Sequence, residues 1–136
     1  MEETHVWSER LDLGDDTLDS EHHLQIALVS ALAEAIEQGR PWMARRLVEQ
    51  LAGYSAAHFT GEEVLMESAG YRPLDDHRQE HHAILGHIDE IRSLLTSAEN
   101  ELAQAMALDL LAGLGSHIAA SDRRFAEQSR VREPGH

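Results

Sequence analysis

Apolar residues return at intervals of three and four in four separate stretches of this chain, and short polar, Gly-bearing or Pro-bearing breaks stand between the stretches. No length of alternating apolar and polar residues reads as a strand. In 136 residues, such a pattern is satisfied by four amphipathic helices that turn their stripes toward one shared core, with connections short enough to make neighbours antiparallel. The expected fold is all-α: an up-down-up-down antiparallel four-helix bundle, preceded by an extended N-terminal leader and forming one domain over 1–136.

The first helix is expected over about 17–38, capped by Asp15, Asp16 or Thr17 and ended by Gly39, with Leu18, His22, Gln25, Val29, Leu32 and Ile36 inward. Pro41 suits the first turn of a second helix, 41–69, with Leu47, Leu51, Tyr54, His58, Glu62 and Leu65 on one face and a stop at Gly70. Pro73 forces a turn, and Asp75 and Asp76 favour the start of a third helix, 74–96. Its stripe of Leu74, His77, His81, Ile84, Ile88, Ile91 and Leu95 has the cleanest register. A fourth helix, 100–129, turns Leu102, Met106, Leu110, His117 and Phe125 inward, and Arg130 to His136 reads as a frayed tail.

Charge and cysteine narrow the chemistry. Asp and Glu number 25 against 11 Lys and Arg, a formal net charge of −14 that should repel nucleic acid and anionic lipid. No segment reads as apolar enough to span a bilayer, and the acidic, polar start at Met1 to His5 does not read as a secretory signal. Cysteine is absent, which removes disulfides and thiolate ligands and leaves nitrogen and oxygen donors for any metal. That composition fits a reducing cytoplasm. Histidine, in contrast, occurs ten times.

Those histidines are not scattered, for the inward stripes are interrupted in their own register by metal-binding residue types. His58 and Glu62 are four apart, as are His77 and His81, so each pair shares a helix face with roughly 6 Å of rise between its members. His22 adds a donor from the first helix; His23 is rotated by about 100° from that face. His117 and Asp122 are five apart, which turns the aspartate away unless the helix is locally distorted, something Gly113 and Gly115 would make cheaper. A lone inward histidine is usually a hydrogen-bonded core residue. Five imidazoles and two carboxylates together would leave several buried groups unpaired without a metal, at about 1 to 3 kcal/mol each. His5, His23, His82, His87 and His136 fall off the stripes and are expected to be solvated.

The motifs D-x-x-H at Asp19 to His22, H-F-x-x-E-E from His58 to Glu63, H-x-x-x-H from His77 to His81 and H-I-x-x-x-D from His117 to Asp122 resemble those of the hemerythrins, in particular the bacterial single-domain form. The leader with Trp7 and Gly14 and the stretch from Leu65 to Tyr71 are similar as well. The resemblance implies two iron ions bridged by an oxo or hydroxo group, Glu62 and Asp122. One ion is then held by His77, His81 and His117, the other by His22 and His58, and dioxygen binds at the open position of the two-histidine iron. Spacing alone would also admit manganese or zinc.

Around that position the resemblance implies a ligand pocket of Gln25, Phe59, Gly113 and Ile118. Gln25 stands where the family usually has an apolar residue, and Gly113 where a tryptophan is common. Together they predict a wetter, roomier pocket and a shorter-lived oxygenated form. The expected function is oxygen storage, delivery or sensing by a protein that is not an enzyme. The alternatives are an oxygen, redox or nitric oxide sensor acting through a protein partner, and a di-iron enzyme with oxidase-like or peroxidase-like activity. Tyr54 is expected to pack in the core with its hydroxyl bonded.

Overall fold

A computed structural model describes residues 16–132, with side-chain surroundings for residues 19–128. The leader residues Trp7 and Gly14, the candidate cap Asp15, and His5 and His136 lie outside the described residues, as does the side chain of Leu18. The elements are α1 (Asp16–Glu37), α2 (Pro41–Ser68), α3 (Leu74–Thr96) and α4 (Asn100–His117), a π turn (Ile118–Asp122) and α5 (Arg123–Arg132) that continues the fourth rod. There is no strand among the described residues. Each rod packs on two others, α1 with α2 and α4, and α3 with α2 and α4, which closes the four into a ring.

Three connections use the same backbone device. After α1, Gly39 takes a left-handed conformation (φ 70°), its N–H donates to Ile36 O, and the N–H of Arg40 donates to Ala35 O. After α2, Gly70 (φ 67°) and Tyr71 repeat the arrangement onto Glu67 O and Met66 O. The paired bonds satisfy carbonyls that the ending helix would otherwise leave without donors. After α3 the left-handed residue is Ala98 (φ 60°), with Ala98 N–H on Leu95 O and Glu99 N–H on Leu94 O. A Cβ in that conformation crowds the backbone, so this turn is made with a strained residue.

One apolar core runs along the bundle axis, including Val29 and Leu32 of α1, Leu51 of α2, Ile88 and Ile91 of α3, and Leu110 and Leu114 of α4. A smaller cluster of Met66, Tyr71 and Phe125 lies apart from it. On α2, His58 and Glu62 precede Met66, and on the fourth rod His117 and Asp122 precede Phe125, so on these two rods the polar positions fall between the two clusters.

Two inward assignments fail by one residue. Leu65 is 55% exposed and Met66 is buried in its place, because Met66 continues the four-residue step from His58 through Glu62. Leu102 is 52% exposed, and Ala103 and Ala107 face the core instead, in register with Leu110, Leu114 and His117. The fourth rod also extends to Arg132, past Arg130 where a frayed tail was expected. The expectation that no segment is apolar enough to span a bilayer is corrected too: Asn100–Gln128 reaches a mean hydropathy of 1.3 over a sufficient length. In the fold that stretch is a rod of the bundle, and it carries His117 and Asp122 on its buried face.

Candidate metal centre

Four rods bring seven side chains to one place. His22 comes from α1, His58 and Glu62 from α2, His77 and His81 from α3, His117 from the end of α4, and Asp122 from the π turn; all are at most 6% exposed. Donor atoms of Glu62, His77, His81, His117 and Asp122 form one group, those of His22, His58 and Glu62 another, with all atoms of a group within 4.8 Å of one another. Glu62 belongs to both. The π turn explains how residues five apart converge: one extra residue in the turn puts Asp122 back on the face of His117. The distortion lies beyond Gly113 and Gly115, at Ile118–Asp122.

The two carboxylates divide their oxygens between the groups. Glu62 Oε2 lies 3.1 Å from Nε2 of His22 and 3.1 Å from Nε2 of His58, while Glu62 Oε1 lies 3.1 Å from Nε2 of His81 and 3.8 Å from that of His77. Asp122 Oδ2 is 3.0 Å from His22 Nε2, and Asp122 Oδ1 is 2.8 Å from His77 Nε2 and 3.1 Å from His117 Nε2. Two ligands at right angles, each about 2.1 Å from a metal, stand about 3 Å apart. The separations of 2.8 to 3.1 Å match that spacing, and two of them, His22 with Glu62 and His77 with Asp122, also have hydrogen-bond geometry.

Orientation supports the same conclusion. Nε2 of His58, His81 and His117, Oε1 of Glu62 and Oδ2 of Asp122 are buried and make no hydrogen bond, although acceptors or donors stand close by. Five unpartnered donor atoms are thus gathered within the two groups. Without a metal each such atom costs about 1 to 3 kcal/mol.

Three of the imidazoles are held from behind by a glutamate. His58 Nδ1–H donates to Glu21 Oε1 (2.6 Å), His81 Nδ1–H to Glu63 Oε2 (2.7 Å), and His117 Nδ1–H to Glu80 Oε1 (2.6 Å), which also accepts from the Ser121 hydroxyl (2.7 Å). A proton fixed on Nδ1 leaves the Nε2 lone pair free toward the interior, and the carboxylate strengthens that nitrogen as a donor. His22 has no such support, for its Nδ1 is buried without a partner. Sequence reasoning left these glutamates out, yet a local signal was available: Glu21, Glu63 and Glu80 each stand beside a site residue, His22, Glu62 and His81, and each serves a histidine of another helix.

Electrostatics couples the set. Burial would lower His22 and His77, but Asp122 and Glu62 outweigh it and bring each up to about 9. Burial also opposes the upward shifts of His58, driven by Glu62, and of His117, driven by Asp122. Burial would raise both carboxyls. The imidazoles of His22, His58, His77 and His81 crowded around it instead hold Glu62 well below its ordinary range, and those of His117, His22 and His77 do so for Asp122. Protons on the imidazoles and charge on the carboxylates thus stabilise each other until a cation replaces the protons.

The expected pocket residues separate. Phe59 is buried with its ring stacked on His81, centroids 3.9 Å apart, and Ile118 is fully buried. Gln25 is 1% exposed, and its amide donates to Ser55 Oγ (2.9 Å). Gly113 does not open the interior: it is exposed, a Cβ there would meet nothing within 4 Å, and it lines an outer cleft of about 400 Å³ with Ala83, Ile84, Leu110 and Ser116. Tyr54 stacks on His58, and its hydroxyl donates to Glu21 O (3.1 Å). His23, His82 and His87 are exposed and outside both donor groups.

Comparison with known proteins agrees with this geometry. The family model described as the hemerythrin HHE cation binding domain matches residues 13–128. Among curated proteins, the bacteriohemerythrin of Stenotrophomonas maltophilia is 28% identical over 126 residues, covering 93% of this chain and 82% of that protein. That of Clostridium acetobutylicum is 22% identical, covering 90% of this chain and 98% of that protein. A solved structure described as that of a leucine-to-phenylalanine mutant matches with a TM-score of 0.80 at 20% identity, covering 90% of this chain and 94% of that one. It shares the fold.

Proposed function

Since the chain belongs to the hemerythrin family, we propose that its seven-residue centre holds two iron ions and binds dioxygen reversibly, for storage, delivery or sensing. The observation that carries this reading is the division of carboxylate oxygens. His77, His81 and His117 with Glu62 Oε1 and Asp122 Oδ1 make five donors, while His22 and His58 with Glu62 Oε2 and Asp122 Oδ2 make four. The deficit falls on the two-histidine side. Iron held by these residues would supply an exchangeable coordination position and the electrons that dioxygen binding draws on.

The protein's own part is to orient and to exclude water. Glu21, Glu63 and Glu80 lock three imidazoles, so their nitrogens need no rearrangement when a ligand arrives. Phe59 and Ile118 contribute buried apolar surface around the centre, which disfavours the charged products of ligand loss. A donor set of five imidazoles against two carboxylates supports binding rather than oxygenase chemistry, in contrast to carboxylate-rich di-iron enzymes. The formal charge of −14 disfavours nucleic acid and anionic membranes as partners, and a reducing cytoplasm suits a chain without cysteine.

The test is anaerobic loading with ferrous iron, followed by visible spectra under argon, then air, then argon again. The reading expects an absorption band that appears with air and fades on return to argon. A spectrum that never changes, or changes irreversibly in the first exposure, contradicts reversible binding.

A further inference from the structure

Gln25 follows His22 by three residues on α1, and Ser55 precedes His58 by three on the antiparallel α2, so the pair occupies the layer next to the two-histidine half of the centre. On the other two rods the equivalent positions, Ile84 three residues after His81 and Leu114 three before His117, are buried apolar residues. The two polar side chains are themselves 1% and 0% exposed. Gln25 Nε2 donates to Ser55 Oγ, and Gln25 Oε1 is buried with no partner at all. A sequence selected for packing alone would place leucine and alanine here and avoid an orphaned amide end.

Resting on the dimetal reading above, we infer that the Gln25 carboxamide, anchored by Ser55, is the hydrogen-bonding group for a small anion bound at the centre on the side of His22 and His58. A ferric ion is a hard cation, so a small anion is a ligand class that an exchangeable position on the two-histidine side takes up. The anion needs a donor. Rotating the amide by half a turn exchanges its ends at little steric cost, because a serine hydroxyl donates as readily as it accepts. Ser55 then donates to Oε1, and the NH₂ group is free for the anion. Such a bond to a charged ligand is strong compared with one between neutral groups, and an apolar residue at position 25 cannot form it.

The experiment uses the iron-loaded, ferric full chain, with sodium azide as the probe. Metal content, the azide dissociation constant and the azide infrared stretch are compared for wild type, Gln25→Met and Ser55→Ala. Methionine keeps the side-chain length and removes both hydrogen-bonding ends. The inference expects unchanged metal content in both variants, azide binding weakened about 10-fold or more in Gln25→Met, a smaller loss in Ser55→Ala, and a shifted stretch in each. Equal azide affinity and stretch in wild type and variants, with iron bound, overturns the role of Gln25 and leaves the dimetal reading standing. A wild-type chain that takes up no iron overturns both. If Gln25→Met does not fold, Ser55→Ala with wild-type affinity and stretch is enough to reject the inference.

Discussion

His117 and Asp122 are five residues apart in sequence, yet His117 Nε2 lies 3.1 Å from Asp122 Oδ1, because the chain between them makes a π turn. In a regular helix the fifth residue is rotated well off the face of the first, whereas the fourth returns to it. The turn is equivalent to one inserted residue. Deleting exposed Ala120 should therefore restore an α-helix with His and Asp four apart, the spacing of His58 and Glu62, and retain metal. Inserting one alanine after Ala119 should turn Asp122 by about 100° and lose it. Metal analysis of the two proteins decides; retention by the insertion variant or loss from the deletion variant contradicts this account of the turn.

The glutamates behind the imidazoles act through the histidines they hold. Glu63→Ala frees His81 Nδ1 from a 2.7 Å bond and should weaken metal affinity about 10-fold to 100-fold, with helical content unchanged. Competition against a chelator of known affinity measures this. An unchanged affinity would mean that the three glutamate contacts are incidental.

The fold and centre were legible in the sequence to different depths. Register alone placed Val29, Leu51, Ile88 and the site histidines on buried faces, since a 3.6-residue period leaves little choice once one stripe is set. Leu65 and Leu102 went astray because a large apolar residue beside the true position outweighs the small or flexible one that packs, Ala103 or Met66. Gly113 was misplaced for want of tertiary information: nothing local says which side of α4 faces an outer cleft. The cross-helix pairs of Glu21 with His58 and Glu80 with His117 depend on how the rods are rotated. No single-helix pattern contains that.

Ala98 occupies a left-handed turn position that Gly39 and Gly70 fill elsewhere. Ala98→Gly should stabilise the protein by about 1 kcal/mol, the relief of Cβ crowding less the entropy that glycine loses on folding. A thermal melt at fixed metal load shows it as a raised Tm. A fall in Tm would mean that the turn tolerates alanine without strain.

Metal-free protein should lose stability as pH rises. His22 and His77, lifted from 6.5 to about 9, contribute stability that is complete below pH 6.5 and gone once pH passes about 9. Glu62 and Asp122, held below 4.5 and 3.8, contribute in the opposite sense: their share is present above those values and lost in acid. Metal-free Tm should peak between about pH 4.5 and 6.5 and fall toward pH 9. Metal affinity should rise over the same alkaline range, because fewer protons must be displaced. A metal-free Tm that climbs between pH 6.5 and 9 contradicts the proposed coupling.

The Gln25 and Ser55 pair should cost the fold something. Replacing both with leucine and alanine removes the orphaned Oε1 and the serine hydroxyl together, and should raise metal-free stability by about 1 to 2 kcal/mol. Denaturant unfolding with an unchanged slope measures this, and a loss of stability would show that the amide is better satisfied than its surroundings indicate.

The central claim is that five imidazoles and two carboxylates hold a pair of ions. Anomalous diffraction at the iron edge from crystals of the iron-loaded chain tests it most directly. Two peaks about 3.5 Å apart are predicted, one within about 2.1 Å of Nε2 of His77, His81 and His117 and the other equally near Nε2 of His22 and His58. A single peak, or peaks away from these nitrogens, would contradict it.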